Sequence, residues 1–414
     1  MMKTILALLI MAVTVQVQAY DQKLAKEVVL NYTKLAHLNY EDSYQGAVKL
    51  HQAITYFVFE AENKPAIKKL PKVYTQIKNL WANESRLPYG QSEIFRFYNG
   101  PIDFESIDDG LDTYLENINF TGVEGLLNAW PLDEAYIDYV ANDRKSGVIN
   151  NRSITLTKNQ ITIMNERNGE KNISSGYHAI EFLLWGQDRD LQSAGKRPYT
   201  DYIDNGTAKN QDRRRAYLSL TSEVMLEHLE SVVNQWKPAT VNYRQEFENA
   251  PVKTSLTNIF TSLIAMTGDE LKSERIENSF LLEDQEEEHS CFSDKTINDI
   301  YANAKGVMNV YLGEYKSFNS SSNAQGASVS DLVQTVNPKL DKEVQAAFNQ
   351  LMSAISFFYA KDSQNNAIIG DIMMPFDLAI TQNKPELQKV IDTLETLDTL
   401  LRSAAKELGL TIEV

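Results

Sequence analysis

The chain has one cysteine, Cys291, in 414 residues. No intramolecular disulfide can form, so stability must come from a large core, which 43% hydrophobic residues at this length make feasible. A lone thiol also excludes haem attachment through Cys-x-x-Cys-His. Cys291 reads as a small buried residue before it reads as a metal ligand. Histidine is nearly as scarce, with five residues. No His-Glu-x-x-His occurs, and the inverted His-x-x-Glu-His fails because Phe182 follows Glu181, so the common zinc-protease helices are absent. No Gly-x-Ser-x-Gly element is present either. Positive charge is in deficit: 40 basic against 56 acidic residues give a net charge of −16. That makes nucleic acid and anionic lipid surfaces poor partners and suits cations instead.

Long apolar runs are missing beyond the first residues, so no membrane span is expected. Met1-Met2-Lys3-Thr4, an apolar stretch from Ile5 to Val15 and Val17-Gln18-Ala19 form a charged start, a short hydrophobic core and a small-x-small end. This is the pattern of a secretory signal peptide cleaved after Ala19. No cysteine follows that point to carry a lipid. The expectation is a soluble protein exported to the periplasm.

Beyond Ala19 the periodicity is helical rather than alternating. Helices are predicted over Leu24–Phe59, Asp212–Val233, Leu256–Phe280, Ile297–Tyr315, Glu343–Tyr359 and Pro385–Leu408, the last opened by a first-turn proline. Ser153–Thr162 is the best strand candidate, though an irregular segment fits it better. Pro238 and the polar stretch after it suggest a boundary. The sequence thus predicts an all-α fold: residues 1–19 as signal peptide, 20–238 as an N-terminal helical bundle and 239–414 as a C-terminal one. Each half carries a long helix, an Arg-bearing helix (Glu93 with Arg96; Glu270 and Glu274 with Arg275) and a His-plus-Glu segment. That parallel suggests two packed four-helix-bundle-like units, an internal duplication.

The richest chemistry lies in Gly176-Tyr177-His178-Ala179-Ile180-Glu181-Phe182-Leu183-Leu184-Trp185-Gly186-Gln187-Asp188. On a helix His178 and Glu181, three apart, share a face. An imidazole and a carboxylate together suit divalent transition metals; the alternative is a buried histidine bonded to a glutamate one turn away. Glu286 and His289 form a second pair at helical spacing within the acidic run Asp284 to Glu288, which is either a ligating cluster or a solvated face. Glu93 and Arg96 make a surface ion pair or contribute to a site. Asp133 reads as a helix N-terminal acid, and Asp133 and Tyr136 are alternatively pocket residues. His37, His51 and His228 have no partner spacing and read as structural.

Four separated blocks carry a resemblance: Tyr89–Phe97, Trp130-Pro131-Leu132-Asp133-Glu134-Ala135-Tyr136, the Gly-x-His-x-x-Glu stretch at Gly176, and His289-Ser290-Cys291-Phe292-Ser293-Asp294. Together they resemble the imelysin family, and the last resembles its iron-regulated protein A branch. The likeness runs from about Leu35 to near the C-terminus. It implies two packed helical bundles, and a metal site of His178, Glu181 and Glu93 at their interface. Arg96, Asp133, Tyr136, Asp284, Glu288 and His289 then become candidates for binding substrate or ligand. The resulting expectation is a periplasmic metal-binding protein of iron uptake or handling, holding a divalent or ferric ion, iron or alternatively zinc. Its partners would be the metal or a small anionic ligand, together with envelope iron-uptake components. The resemblance also carries a second expectation, a secreted metallopeptidase. A third is a binding module for a small anionic or metal-chelate ligand.

Overall fold

The long first helix organises the molecule. In the computed structural model, which describes residues 20–63, 68–95, 123–169, 171–318 and 323–413, helix α1 spans Gln22–Glu62. Asp21 caps it by accepting from the amides of Lys23 and Leu24 at 2.8 and 3.1 Å. At 41 residues it is about 60 Å long. Its buried positions, Val28, Tyr32, Leu35, Ala36, Asn39 and onward, recur at the three- and four-residue spacing of a helix with one apolar stripe. The expected signal peptide, residues 1–19, and Arg96 lie outside the described residues.

Helix α2, Leu70–Asn79, runs through a π-helical turn, Leu80–Ser85, into α3, Arg86–Ser92. Helix α4 is Gly176–Trp185 and α5 is Gln211–Trp236. Helix α6, Val252–Ile264, passes into a second π-helical stretch, Ala265–Glu277. Three long helices follow, α7 Thr296–Leu312, α8 Pro338–Ser356 and α9 Lys384–Glu407, with shorter ones such as Val329–Val336 and Phe376–Gln382 between them. The only sheets among the described residues are two antiparallel ribbons, Glu314–Tyr315 with Ala324–Gln325 and Tyr359–Lys361 with Ala367–Ile372. The fold is all-α, as the periodicity predicts. Three details differ. Helix α7 stops at Gly313, so Glu314–Tyr315 pair as a strand. Tyr359 likewise falls in a ribbon rather than at a helix end. Residues 158–164 within and beyond the Ser153–Thr162 segment are helical, with Thr157 as cap.

The apolar core runs without a break from the first half of the chain to the second. Helix α1 packs along α5, α3 and α6, and α3 packs along α7. The α3–α7 crossing is close enough that a Cβ on Gly306 would lie 2.5 Å from the carbonyl oxygen of Gln91, so only glycine fits there. This crossing sets residues 86–93 directly over α7, where the candidate site forms.

Candidate metal-binding site

Helix α4 has no exposed side: every residue from Gly176 to Trp185 is buried. A helix apolar all round is a core helix, and its ends are closed by other elements. The carbonyls of Leu183 and Leu184, in its last turn, accept from the hydroxyls of Tyr202 and Tyr74 at 2.5 and 2.6 Å. At its start Gly176 has φ +85°, and a Cβ there would meet the Leu127 carbonyl oxygen at 2.4 Å. The motif glycine therefore turns the chain tightly into the helix that carries His178 and Glu181.

His178 Nδ1 lies 2.8 Å from Glu181 Oε2, and the other oxygen of Glu181 accepts from the backbone amide and hydroxyl of Ser293 at 3.0 and 2.6 Å. Both side chains are fully buried. Burial lowers the His178 pKa well below the usual range, and His289 and Arg86 lower it further. Burial raises that of Glu181, with Ser293 opposing. A neutral imidazole whose Nδ1–H is held by a carboxylate presents an Nε2 lone pair on its far side. That Nε2 is buried and has no hydrogen-bond partner among the described residues.

His289 comes from the second half, with a carboxylate and a guanidinium competing for its Nδ1: donating to Asp299 leaves Nε2 its lone pair, whereas accepting from Arg86, which only donates, puts the proton on Nε2. Its ring centroid is 4.7 Å from that of His178, with the planes at 70°. Its Nδ1 lies 3.1 Å from Asp299 Oδ2 and 3.1 Å from Arg86 Nη2, and Asp299 also accepts from Ser290 Oγ at 2.6 Å. Burial lowers its pKa well below normal, helped by Arg275 and Arg86. Its Nε2, too, is buried without a partner among the described residues. Trp130 covers both rings, at 4.9 Å from His178 and 6.5 Å from His289.

Glu93 forms the floor. Arg275 grips it bidentately at 3.1 Å on each oxygen, while Asn128 and Asn303 donate to it at 2.6 and 2.7 Å. Arg86 adds an ion pair at 3.5 Å and a second, at 3.2 Å, to Asp299. Arg275 also holds Glu270 at 2.6 Å. Both oxygens of Glu93 are thus already engaged by cations and amides, which is the environment of a structural anchor.

The remaining sequence candidates scatter. Asp133 is exposed and caps the short helix Glu134–Ile137, accepting from the Ala135 amide at 3.0 Å. Tyr136 donates to the Met164 carbonyl at 2.8 Å and lines a surface cleft with Lys145 and Val148. Asp284 is exposed and caps a 3-10 turn, Gln285–Glu287. That turn ends before His289, so Glu286 and His289 do not share a helix face as the spacing predicts. Glu288 is fully buried, away from solvent. No motif spacing marks Arg86 or Asp299, and Trp130 stands in the sequence only as the first residue of the Trp130–Tyr136 block; each reaches the imidazoles through tertiary packing. His51 is a half-buried structural residue with Ser222 at 2.9 Å from its Nδ1.

The imelysin model, peptidase family M75, matches residues 36–404. The chain belongs to the imelysin family. Two solved structures share its fold: an iron-regulated protein A precursor from Parabacteroides distasonis ATCC 8503, and an imelysin-like protein from Psychrobacter arcticum 273-4. The first is 17% identical with a TM-score of 0.64, covering 94% of this chain and 96% of that one. The second is 14% identical with a TM-score of 0.60, covering 96% and 99%. No curated protein matches the sequence. In this imelysin, the Gly-x-His-x-x-Glu stretch and the His-Ser-Cys-Phe-Ser-Asp stretch are two faces of one assembly. Ser293 of the second holds Glu181 of the first, and the two histidines stand ring to ring.

Proposed function

We propose that this imelysin binds a transition-metal ion between His178 and His289, and that it handles metal, iron foremost, outside the cytoplasmic membrane. The observation that carries the reading is the pair of buried, neutral imidazoles whose Nε2 atoms have no hydrogen-bond partner among the described residues, with Glu181 at Nδ1 of His178 and Asp299, itself paired with Arg86, at Nδ1 of His289. Carboxylate-backed imidazole is how proteins orient and strengthen a histidine metal ligand. Leaving two such nitrogens dry and unbonded is otherwise costly. Glu181 and Asp299 act in this reading as orienting groups, and Glu93 as the anchor of the floor, with water or a ligand of the metal completing the coordination.

The leader-like first residues support export, and the fold shared with a protein named as an iron-regulated precursor supports a role in iron handling. Hydrolysis finds less support: Glu181 is occupied by His178 and Ser293, so it is not poised as a general base. Calorimetric titration with Fe(II) and Zn(II) tests the reading. Stoichiometric binding is expected for the wild type, with at least tenfold loss in both His178→Ala and His289→Ala. Wild-type affinity in either variant sinks it. Slower growth of a deletion strain under iron limitation is the corresponding cellular expectation.

A further inference from the structure

Three aspartates from separate elements meet beside the turn that holds Glu181. Asp188 follows the end of α4, Asp294 follows the turn Cys291–Ser293, and Asp377 stands in the first turn of the helix Phe376–Gln382. One carboxylate oxygen from each lies within 4.8 Å of the other two. The three are 4%, 7% and 0% exposed.

Their hydrogen bonding is incomplete in a consistent way. Asp188 Oδ1 accepts from the Asp190 amide at 3.1 Å and Asp377 Oδ1 from the Leu378 amide at 2.8 Å. Asp188 Oδ2, Asp294 Oδ1 and Asp377 Oδ2 are buried with no well-formed hydrogen bond among the described residues. Glu288, fully buried, adds two more such oxygens and feels the charge of all three aspartates, its burial partly offset by the Thr296 hydroxyl. No described lysine or arginine pairs with these carboxylates within 4 Å; Lys295 acts on Asp294, and Lys196 on Asp188 and Asp294, only at longer range. Four buried acids without a counterion must either keep protons or hold a cation. Asp188 and Asp294 lie close enough to share a proton, so protonation is the competing state.

We propose that Asp188, Asp294 and Asp377, with Glu288 beside them, form a second cation site, selective for a hard divalent ion of the calcium class. The donor set is all oxygen and offers no imidazole or thiolate, which favours calcium, magnesium or manganese over zinc or copper. Calcium takes about six to eight oxygens and tolerates irregular geometry, so three carboxylates on three loops suit it better than they suit octahedral magnesium. The ion would tie the end of α4, the Ser293 turn and the C-terminal helices to one point. The site is independent of the imidazole pair and of any metal bound there.

The test uses the full chain, stripped with chelator and then exposed to calcium. Elemental analysis after gel filtration is expected to give one calcium per chain, and the melting temperature is expected to rise by several degrees in millimolar calcium. His178→Ala should keep both effects. Asp377→Asn and Asp188→Asn, near-isosteric, should bind calcium at least tenfold more weakly while retaining zinc binding at the imidazoles. No retained calcium and no thermal shift in the wild type, with calcium or manganese, leaves a proton-sharing cluster and overturns the proposal. So does unchanged affinity in a folded Asp377→Asn chain. Should both variants fail to fold, the wild-type calcium count decides alone.

Discussion

Glu93 is held by Arg275, Arg86, Asn128 and Asn303 in a space closed to water. Removing it takes from each of two buried guanidiniums one of its two carboxylate partners and leaves Asn128 and Asn303 without their acceptor. Breaking a buried pair in this way costs about 3–5 kcal/mol, so Glu93→Ala is expected to lower the urea midpoint sharply, with metal binding lost as a consequence. A chain that keeps its midpoint but loses metal would make Glu93 a ligand instead. Glu181→Gln has a different expected signature. It keeps shape but weakens the grip on His178 Nδ1, and should cost about 10–100-fold in metal affinity with little change in melting. At Asp138 the test is pH. Burial alone would raise this carboxyl, but Arg197 and Arg214 outweigh it and hold it below the usual range. Its contribution is therefore complete above about pH 4 and is lost as pH falls through the lowered value. Asp138→Asn should be less stable at neutral pH and show a flatter acid-unfolding curve below about pH 4.

Among the elements, α4 depends on its first residue. Gly176→Ala puts a side chain at positive φ, worth about 1–3 kcal/mol of strain, and drives its Cβ into the Leu127 carbonyl. Thermal unfolding should show a large loss, and the surviving fold should bind metal poorly because His178 and Glu181 sit in the displaced turns. The same helix shows what was legible beforehand. Its motif, apolar density and His–Glu spacing located one side of the site, and the His-Ser-Cys-Phe-Ser-Asp block located the other. What joins them was not legible. Arg86 and Arg275 project from or just after π-helical stretches, and nothing in Leu80–Ser85 or Ala265–Glu277 distinguishes π from α at the level of side-chain pattern. Asp299 and Asp377 stand in the first turns of their helices, where an acid is ordinary and marks no site. Glu286 and His289 have helical spacing, but a turn ends between them, and spacing alone does not reveal it.

At the level of the whole molecule, the halves interlock. Arg86 of the first reaches Asp299 and His289 of the second, Arg275 reaches back to Glu93, and α3 lies in contact with α7. The helical periodicity and the approximate limits of α1, α5, α7, α8 and α9 were readable, because amphipathic spacing is a local property, whereas α2, α3 and the two ribbons were not. The interlock is not local. A fragment of residues 20–238 would expose the α3 face that Gly306 and Ala302 cover and would leave Glu93 without Arg275. Expressed alone, it is expected to lack a cooperative near-ultraviolet melt, and coexpression with 239–414 should restore one. A cooperative melt of the lone fragment would instead show an autonomous bundle.

The loop from Ser290 to Ser293 touches the carboxylate behind each histidine, Asp299 through one serine and Glu181 through the other. Its consequence is one of timing. A chain emerging from its N-terminus carries His178 and Glu181 long before Ser290, Ser293 and His289 arrive, so the first imidazole has neither its orienting serine nor its companion until most of the polypeptide exists. On the proposed reading, metal capture is thereby postponed to the end of folding, and a half-made chain holds no complete site.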